Sequence, residues 1–165
     1  MLQIISLLLL AFSFFVVRTT IPRLPAHIPV HYNAAGLADG WGSPDTLWAL
    51  LAAQALTCVV FLVVPYLGQR IPSAIHFGSR RLSDFPPEQR PRMLAMLNDM
   101  AGYLGVVMNL FFVVMLRQFI LAATAPVPHL SVFWPLLLLG AATLGIIMYY
   151  FVRFSRAALG RDNSQ

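Results

Sequence analysis

Thr46-Leu47-Trp48-Ala49-Leu50-Leu51-Ala52-Ala53-Gln54-Ala55-Leu56-Thr57-Cys58-Val59-Val60-Phe61-Leu62-Val63-Val64-Pro65-Tyr66-Leu67 carries no charged side chain. A membrane-spanning helix needs about 20 mostly apolar residues, because each rises about 1.5 Å and the hydrocarbon core is about 30 Å thick. This run meets that length. Pro65, in its last turn, ends or kinks the helix. Three further segments share its character: 1–17, stopped by Arg18; 101–123, with Arg117 near its end; and 132–152. The sequence therefore predicts an all-α membrane protein. Its fold class is a four-helix transmembrane bundle, one membrane domain over 1–165, with a non-helical loop at 18–45 and a second loop at 68–99.

Composition points the same way. The 165 residues are 59 % apolar and 10 % charged, with a mean hydropathy of +0.75. A soluble domain is about a quarter charged, so that class is excluded, and so is disorder. The net charge of +5 comes from eleven basic residues, all arginine, against six acids. In a soluble protein such a balance would imply nucleic acid. In a membrane protein it reports orientation, because cytoplasmic loops collect basic residues. Arg70, Arg80, Arg81, Arg90, Arg92, Arg153, Arg156 and Arg161 fall on one side, and Arg18, Arg23 and Arg117 on the other. Eight against three puts both termini in the cytoplasm and loop 18–45 outside, with no nucleic-acid partner. The first span lacks the basic start and small-x-small cleavage pattern of a signal peptide, so it is expected to be retained.

Polar residues inside the spans are few. Gln54 and Asn109 stand out, since polar groups in hydrocarbon face other helices or water. A helix–helix hydrogen bond is the simple reading; a transport path is the other. Arg117 reads as an anchor that snorkels to the interface. Ala101-x-x-x-Gly105 and Ala141-x-x-x-Gly145 permit close helix approach. Cys58, the one cysteine, excludes an intramolecular disulfide and reads as a small buried hydrophobe. Trp48, Trp134, Tyr66, Tyr149 and Tyr150 fall near span ends as an aromatic belt. In the second loop, the stretch from Ile71 to Gly78 is broken by proline and glycine and is expected along the membrane surface. Pro91 suits the first position of an amphipathic helix bearing Met93, Leu94, Met96, Leu97 and Met100. A methionine-rich face of that kind also suits partner binding.

The first loop holds the most specific pattern: Leu24-Pro25-Ala26-His27-Ile28-Pro29-Val30-His31-Tyr32-Asn33-Ala34-Ala35-Gly36-Leu37-Ala38-Asp39-Gly40-Trp41-Gly42-Ser43. Pro22, Pro25 and Pro29 forbid a regular helix and favour extended backbone. Alternate residues then share a face, with Ile28, Val30 and Tyr32 on one and His27, Pro29, His31 and Asn33 on the other. Gly36 and Asp39-Gly40 supply turns. Ser43-Pro44-Asp45 reads as a helix start, with Ser43 as cap and Pro44 at the first position. The loop is expected to be a compact, hairpin-like cap.

Leu24, Pro25, Ile28, Pro29, His31, Asn33, Gly36, Asp39, Trp41 and Ser43 together resemble the signature of domain of unknown function 1648. That domain also forms the N-terminal part of SdpI-type bacterial immunity proteins. The resemblance implies a bacterial inner-membrane protein with the motif outside. Family members commonly carry lysine after the serine, where Pro44 stands here. SdpI-type proteins also have a further membrane region beyond four spans, so the resemblance does not by itself imply immunity.

These readings make His31, Asn33, Asp39, Trp41 and His27 candidates for contacting a ligand or partner. Leu24, Pro25, Ile28, Pro29, Gly36 and Ser43 would shape the motif. His31 and Asn33 have a plainer reading too, as side chains that hold the cap by bonding its backbone, and His31 could answer to pH. A metal on His27 and His31 is disfavoured, since four residues of strand separate them by about 13 Å. No nucleophile elbow or phosphate-cradling glycine loop occurs. The acids Asp39, Asp45, Asp84, Glu88, Asp99 and Asp162 all lie outside the spans, which argues against a proton relay. No catalytic set, cofactor or metal is expected. The expected function is a binding, sensing or immunity-type module acting through its outer loop. Its expected partners are the lipid bilayer, an outer protein or peptide, and a second copy of the chain. A small transporter or transporter subunit, and a membrane metalloenzyme on His27 and His31, are the alternatives.

Overall fold

In the computed structural model, which describes residues 1–77 and 80–158, the uncharged run around Gln54 forms one helix, α2 (Thr46–Arg70). It joins α1 (Leu2–Thr20), α3 (Arg90–Thr124) and α4 (Phe133–Ala158). All four are long and apolar enough to cross a membrane. α3 is the central helix. It packs on α1, α2 and α4, and α1 also packs on α2. The outward faces keep Leu8, Phe15, Leu56, Leu138 and Phe151 exposed, as lipid-facing helices should, because lipid tails are as apolar as leucine.

Close approach is made at α3's small pair. A Cβ on Gly105 would stand 3.3 Å from the Phe61 Cβ and from the Ser6 hydroxyl oxygen, so α1 and α2 both lie against it. Ala101, one turn away, is buried. The second small pair behaves otherwise. Nothing lies within 4 Å of a Cβ built on Gly145, and Ala141 is exposed. Small residues permit contact there without making it.

The third helix begins well before residue 101, where its apolar run begins. Pro91 sits in the first turn, where a missing N–H costs nothing. The buried face of Met93, Met96 and Leu97 then runs without a break into Ala101 and Gly105. Its 35 residues span about 52 Å, against about 30 Å of hydrocarbon. The excess lets Leu116 and its neighbours Phe119, Ile120 and Ala123 pack at the level of the first loop. Arg117 is exposed on the same turns.

The two ends of the bundle are capped differently. At one end, β1 (Ile28–Tyr32) and β2 (Ala38–Gly42) form an antiparallel hairpin. It sits on a cluster of Val17, Ile28, Leu47 and Leu116. At the other end, Leu82 and Phe85 are buried with Met93, Met96 and Tyr150. The part of the second loop that follows residues 71–78 is a folded plug. The loop also carries a short pairing of β3 (His76–Phe77) with β4 (Arg80–Arg81). The Arg90 guanidinium fastens the plug, donating to the Ser83 carbonyl at 2.6 Å and to the Phe85 carbonyl at 2.9 Å. The Asp84 carboxylate accepts the Arg81 backbone N–H at 2.8 Å. That bond, helped by the Ser83 hydroxyl and by Arg81 and Arg80, holds its pKa below the ordinary value. Tyr150 departs from the aromatic-belt reading, since it is buried in this cluster while Tyr149 and Trp134 are exposed. Gly78, Arg161 and Asp162 lie outside the described residues.

Candidate functional site

Pro22 stops α1 in a single tight turn, Ile21–Arg23, after which Leu24 is extended. The chain then enters β1. Ile28 pairs with Gly42, Pro29 with Trp41, His31 with Gly40 and Tyr32 with Ala38. Val30 is thus an extra residue on β1 and Asp39 an extra residue on β2. A bulge turns the following side chains to the other face, so the simple alternation expected for residues 27–33 does not hold. Ile28 and Pro29 are both buried, whereas Val30 is exposed. Proline tolerates this burial because it brings no N–H that needs a partner.

The offset bulges bring together two residues eight apart in sequence. His31 Nδ1 lies 2.5 Å from Asp39 Oδ1. The pair is open to solvent, the His31 side chain 72 % exposed and that of Asp39 43 %. Asn33 works differently. Its Oδ1 accepts the Ala35 N–H at 2.9 Å and the Leu37 N–H at 3.1 Å. Its backbone carbonyl accepts the Gly36 N–H at 2.9 Å. Asn33 therefore builds the turn, and Gly36 completes it at φ +78°, a conformation that favours glycine.

Sequence reasoning missed the second half of this site. The segment between α3 and α4 lies along the turn: the Leu130 N–H donates to the Gly36 carbonyl at 2.8 Å, and the Ala38 N–H to the Pro128 carbonyl at 3.3 Å. Leu37 and His129 form a bridge. The available signal was Pro126-Val127-Pro128-His129, an extended, proline-spaced stretch like Ile28-Pro29-Val30-His31.

Between hairpin and segment runs an open groove of about 460 Å³, lined by Val30, His31, Tyr32, Asn33, His129 and Phe133 among others. The Tyr32 hydroxyl is buried without a hydrogen-bond partner. Burial raises its pKa, and its ring stands edge-on to Phe119 at 5.9 Å. Asp39 reaches the groove through His31. Trp41, 57 % exposed, and His27, also exposed, are not among the groove's lining residues. Leu24 packs at the cluster under the hairpin, while Pro25 is exposed. Ser43 acts one step earlier than a cap. Its hydroxyl oxygen accepts the Asp45 N–H at 3.2 Å and its carbonyl the Thr46 N–H at 3.1 Å. The resulting turn precedes α2, which starts at Thr46 with Asp45 at the cap position rather than at Pro44.

A second polar cluster lies within the bundle. Gln54 Nε2 donates to Asn109 Oδ1 at 3.1 Å, and Asn109 Nδ2 to the Gly105 carbonyl at 2.8 Å. The Cys58 thiol also donates to Asn109 Oδ1, at 3.2 Å, so this cysteine is buried but does more than fill space. The neighbouring cavity, lined by Ser6, Cys58 and Gly105, is about 10 Å³, room for one water at most. The cluster joins α2 to α3 by side-chain hydrogen bonds, the simple reading of two polar residues inside apolar spans. Among the described residues, no three His, Cys, Asp or Glu side chains group as a metal site requires.

Residues 7–56 match the family model of the Domain of unknown function (DUF1648). No curated protein and no solved structure matches the chain. The matched segment covers most of α1, the whole hairpin and the start of α2 as far as Leu56. His129, Leu130 and Asn109 lie beyond it. The groove and the buried amide pair are each built partly from the matched segment and partly from the chain that follows it.

Proposed function

We propose that the hairpin end is an outer recognition platform of a bacterial inner-membrane protein with both termini cytoplasmic, and that it binds a protein or peptide partner. The observation that carries this reading is the solvent-open His31–Asp39 pair on a backbone braced from below. A pair with only a structural task has no reason to stand in water, where it adds about 0–1 kcal/mol. The groove beside it is lined by His31, Asn33 and His129 and has apolar walls at Val30 and Phe133. A few fixed polar groups among apolar surface are what a binding cleft requires. Orientation rests on arginine placement. Arg70, Arg80, Arg81, Arg90, Arg92, Arg153 and Arg156 lie toward the plugged end, and Arg18, Arg23 and Arg117 toward the hairpin. The SdpI-type relation makes immunity one form such recognition would take.

The test is photocrosslinking in native membranes from a reactive residue placed at Ala34, on the groove wall. The expected result is one discrete protein or peptide adduct that disappears when His31 and Asp39 are both alanine. Lipid adducts alone, or an adduct indifferent to that double substitution, would refute the platform.

A further inference from the structure

α1 and α4 both pack on α3 and leave a lateral cleft between them at the end away from the hairpin. Its volume is about 590 Å³, within the range of sites that hold small molecules. Gln3 and Asn98 close one side through a 2.8 Å hydrogen bond between α1 and α3. Asp99 and Arg153 both line the cleft, from α3 and α4. Opposite charges sharing a cleft would normally pair. Among the described residues these two form no ion pair with each other. Arg153 is held instead by Tyr149, donating to its hydroxyl at 3.4 Å and lying 5.7 Å from its ring centre.

The lower wall is apolar. Ile146 and Gly145 line it, and a Cβ on Gly145 would meet nothing within 4 Å, which leaves a strip of open space along α4. Depth fits an interface. Arg153 is about 30 Å along α4 from its first residue, one hydrocarbon thickness away. Phe133 and Trp134 are exposed at the opposite end.

We propose that this cleft binds a zwitterionic aminophospholipid of the phosphatidylethanolamine class. The Arg153 guanidinium takes the phosphate, a planar donor suited to it. The Asp99 carboxylate takes the primary ammonium, and one acyl chain lies along Ile146 and Gly145. An anionic headgroup without an amine would meet Asp99 as a like charge. A choline headgroup has no N–H to donate. A free headgroup would leave the apolar wall uncovered. The presence of one cation and one carboxylate in the same cleft therefore selects the lipid, and its mouth between two membrane helices opens where lipid is the solvent.

Native mass spectrometry of the detergent-solubilised full chain tests this. The probes are dioleoyl phosphatidylethanolamine, phosphatidylglycerol and phosphatidylcholine at equal concentration, with glycerophosphoethanolamine as a chain-free competitor. The ethanolamine lipid is expected to be preferred over the glycerol lipid by about tenfold, the scale of one charged hydrogen bond. Asp99→Asn should abolish that preference, and Arg153→Gln should weaken all three lipids. Gly145→Phe, at a position with open space around it, should exclude the acyl chain while the bundle stays folded. Three results would overturn the proposal: equal binding of the ethanolamine and glycerol lipids, a preference that survives Asp99→Asn, or full displacement by the chain-free headgroup.

Discussion

Gly36→Ala is the perturbation that asks most of the outer site. Gly36 has φ +78°, and holding alanine in that left-handed region costs about 1–2 kcal/mol. Its new Cβ would stand 2.6 Å from the Leu130 carbonyl oxygen. That neighbour is backbone, so it cannot swing aside as a side chain would. The α3–α4 segment has to retreat, which removes the bonds from the Leu130 N–H at 2.8 Å and the Ala38 N–H at 3.3 Å. Each contributes about 1 kcal/mol, so the hairpin end should lose about 3 kcal/mol in all. By the relation between free energy and local opening, exchange of the Leu130 and Ala38 amides should accelerate about a hundredfold. Hydrogen exchange in nanodiscs reads this directly. Gly140→Ala is the control, since nothing lies within 4 Å of its Cβ and alanine favours the helix by about 1 kcal/mol. If Leu130 exchanges in Gly36→Ala as it does in the parent, the segment does not rest on the turn and the account of the groove fails.

Asn33→Ala should cost about 1–2 kcal/mol in thermal stability through two lost backbone bonds, and Asn33→Asp should restore most of it; equal melting of all three would remove Asn33 from the turn. A double-mutant cycle on Gln54→Leu and Asn109→Leu should give a coupling of about 0.6 kcal/mol, the average for such bonds in membranes, whereas strict additivity would mean the two amides do not meet. Asp84→Asn should speed exchange of the Arg81 amide at neutral pH. Because the Asp84 pKa is lowered in the fold, its support is complete above the unfolded carboxylate pKa and is lost as pH falls through the folded one. An Arg81 amide unmoved by the substitution would show that the carboxylate does not hold it. A membrane-impermeant maleimide should label Ala34→Cys but not Ser73→Cys in intact spheroplasts; the reverse pattern would invert the topology. Cys58 is 3 % exposed and should contribute little background.

The spans were legible because a helix that crosses a bilayer must be a long, nearly uncharged apolar run, and an arginine or a turn marks each limit. The exception is α3. Its amphipathic start and apolar body were read as two things, yet they share one buried face from Met93 to Gly105. The hairpin was legible in outline, since closely spaced prolines leave extended backbone as the remaining choice. Its register was not. Whether Val30 and Asp39 pair or bulge depends on cross-strand contacts that neither strand contains alone. The His31–Asp39 pair follows from those bulges, so both residues could be nominated but not joined. Gln54 and Asn109 were likewise visible as polar groups in hydrocarbon. Their meeting depends on how α2 and α3 are rotated, which mixed apolar faces leave undetermined. The role of His129 was hidden for a simpler reason: its partner, Leu37, is remote in sequence.

The unequal treatment of α4 bears on where function resides. α1, α2 and α3 are tied by the contacts of Gly105 and by buried hydrogen bonds at Asn109. α4 packs chiefly on α3 among the long helices and leaves Gly140 and Gly145 facing open space. In water such a helix would lack the burial to stay in place. In a bilayer its apolar faces are already solvated, so its position is set by end contacts and connections. Those contacts are the Leu130–Gly36 bond at one end and Tyr150 in the Leu82–Met93 cluster at the other. Both proposed binding sites lie beside these ends rather than in the three-helix core. It follows that damage to the groove should be local. Gly36→Ala should release Leu130 and the first turn of α4 while leaving exchange of the Asn109 amide unchanged. Faster exchange at Asn109 in that variant would show instead that hairpin and core open as one unit.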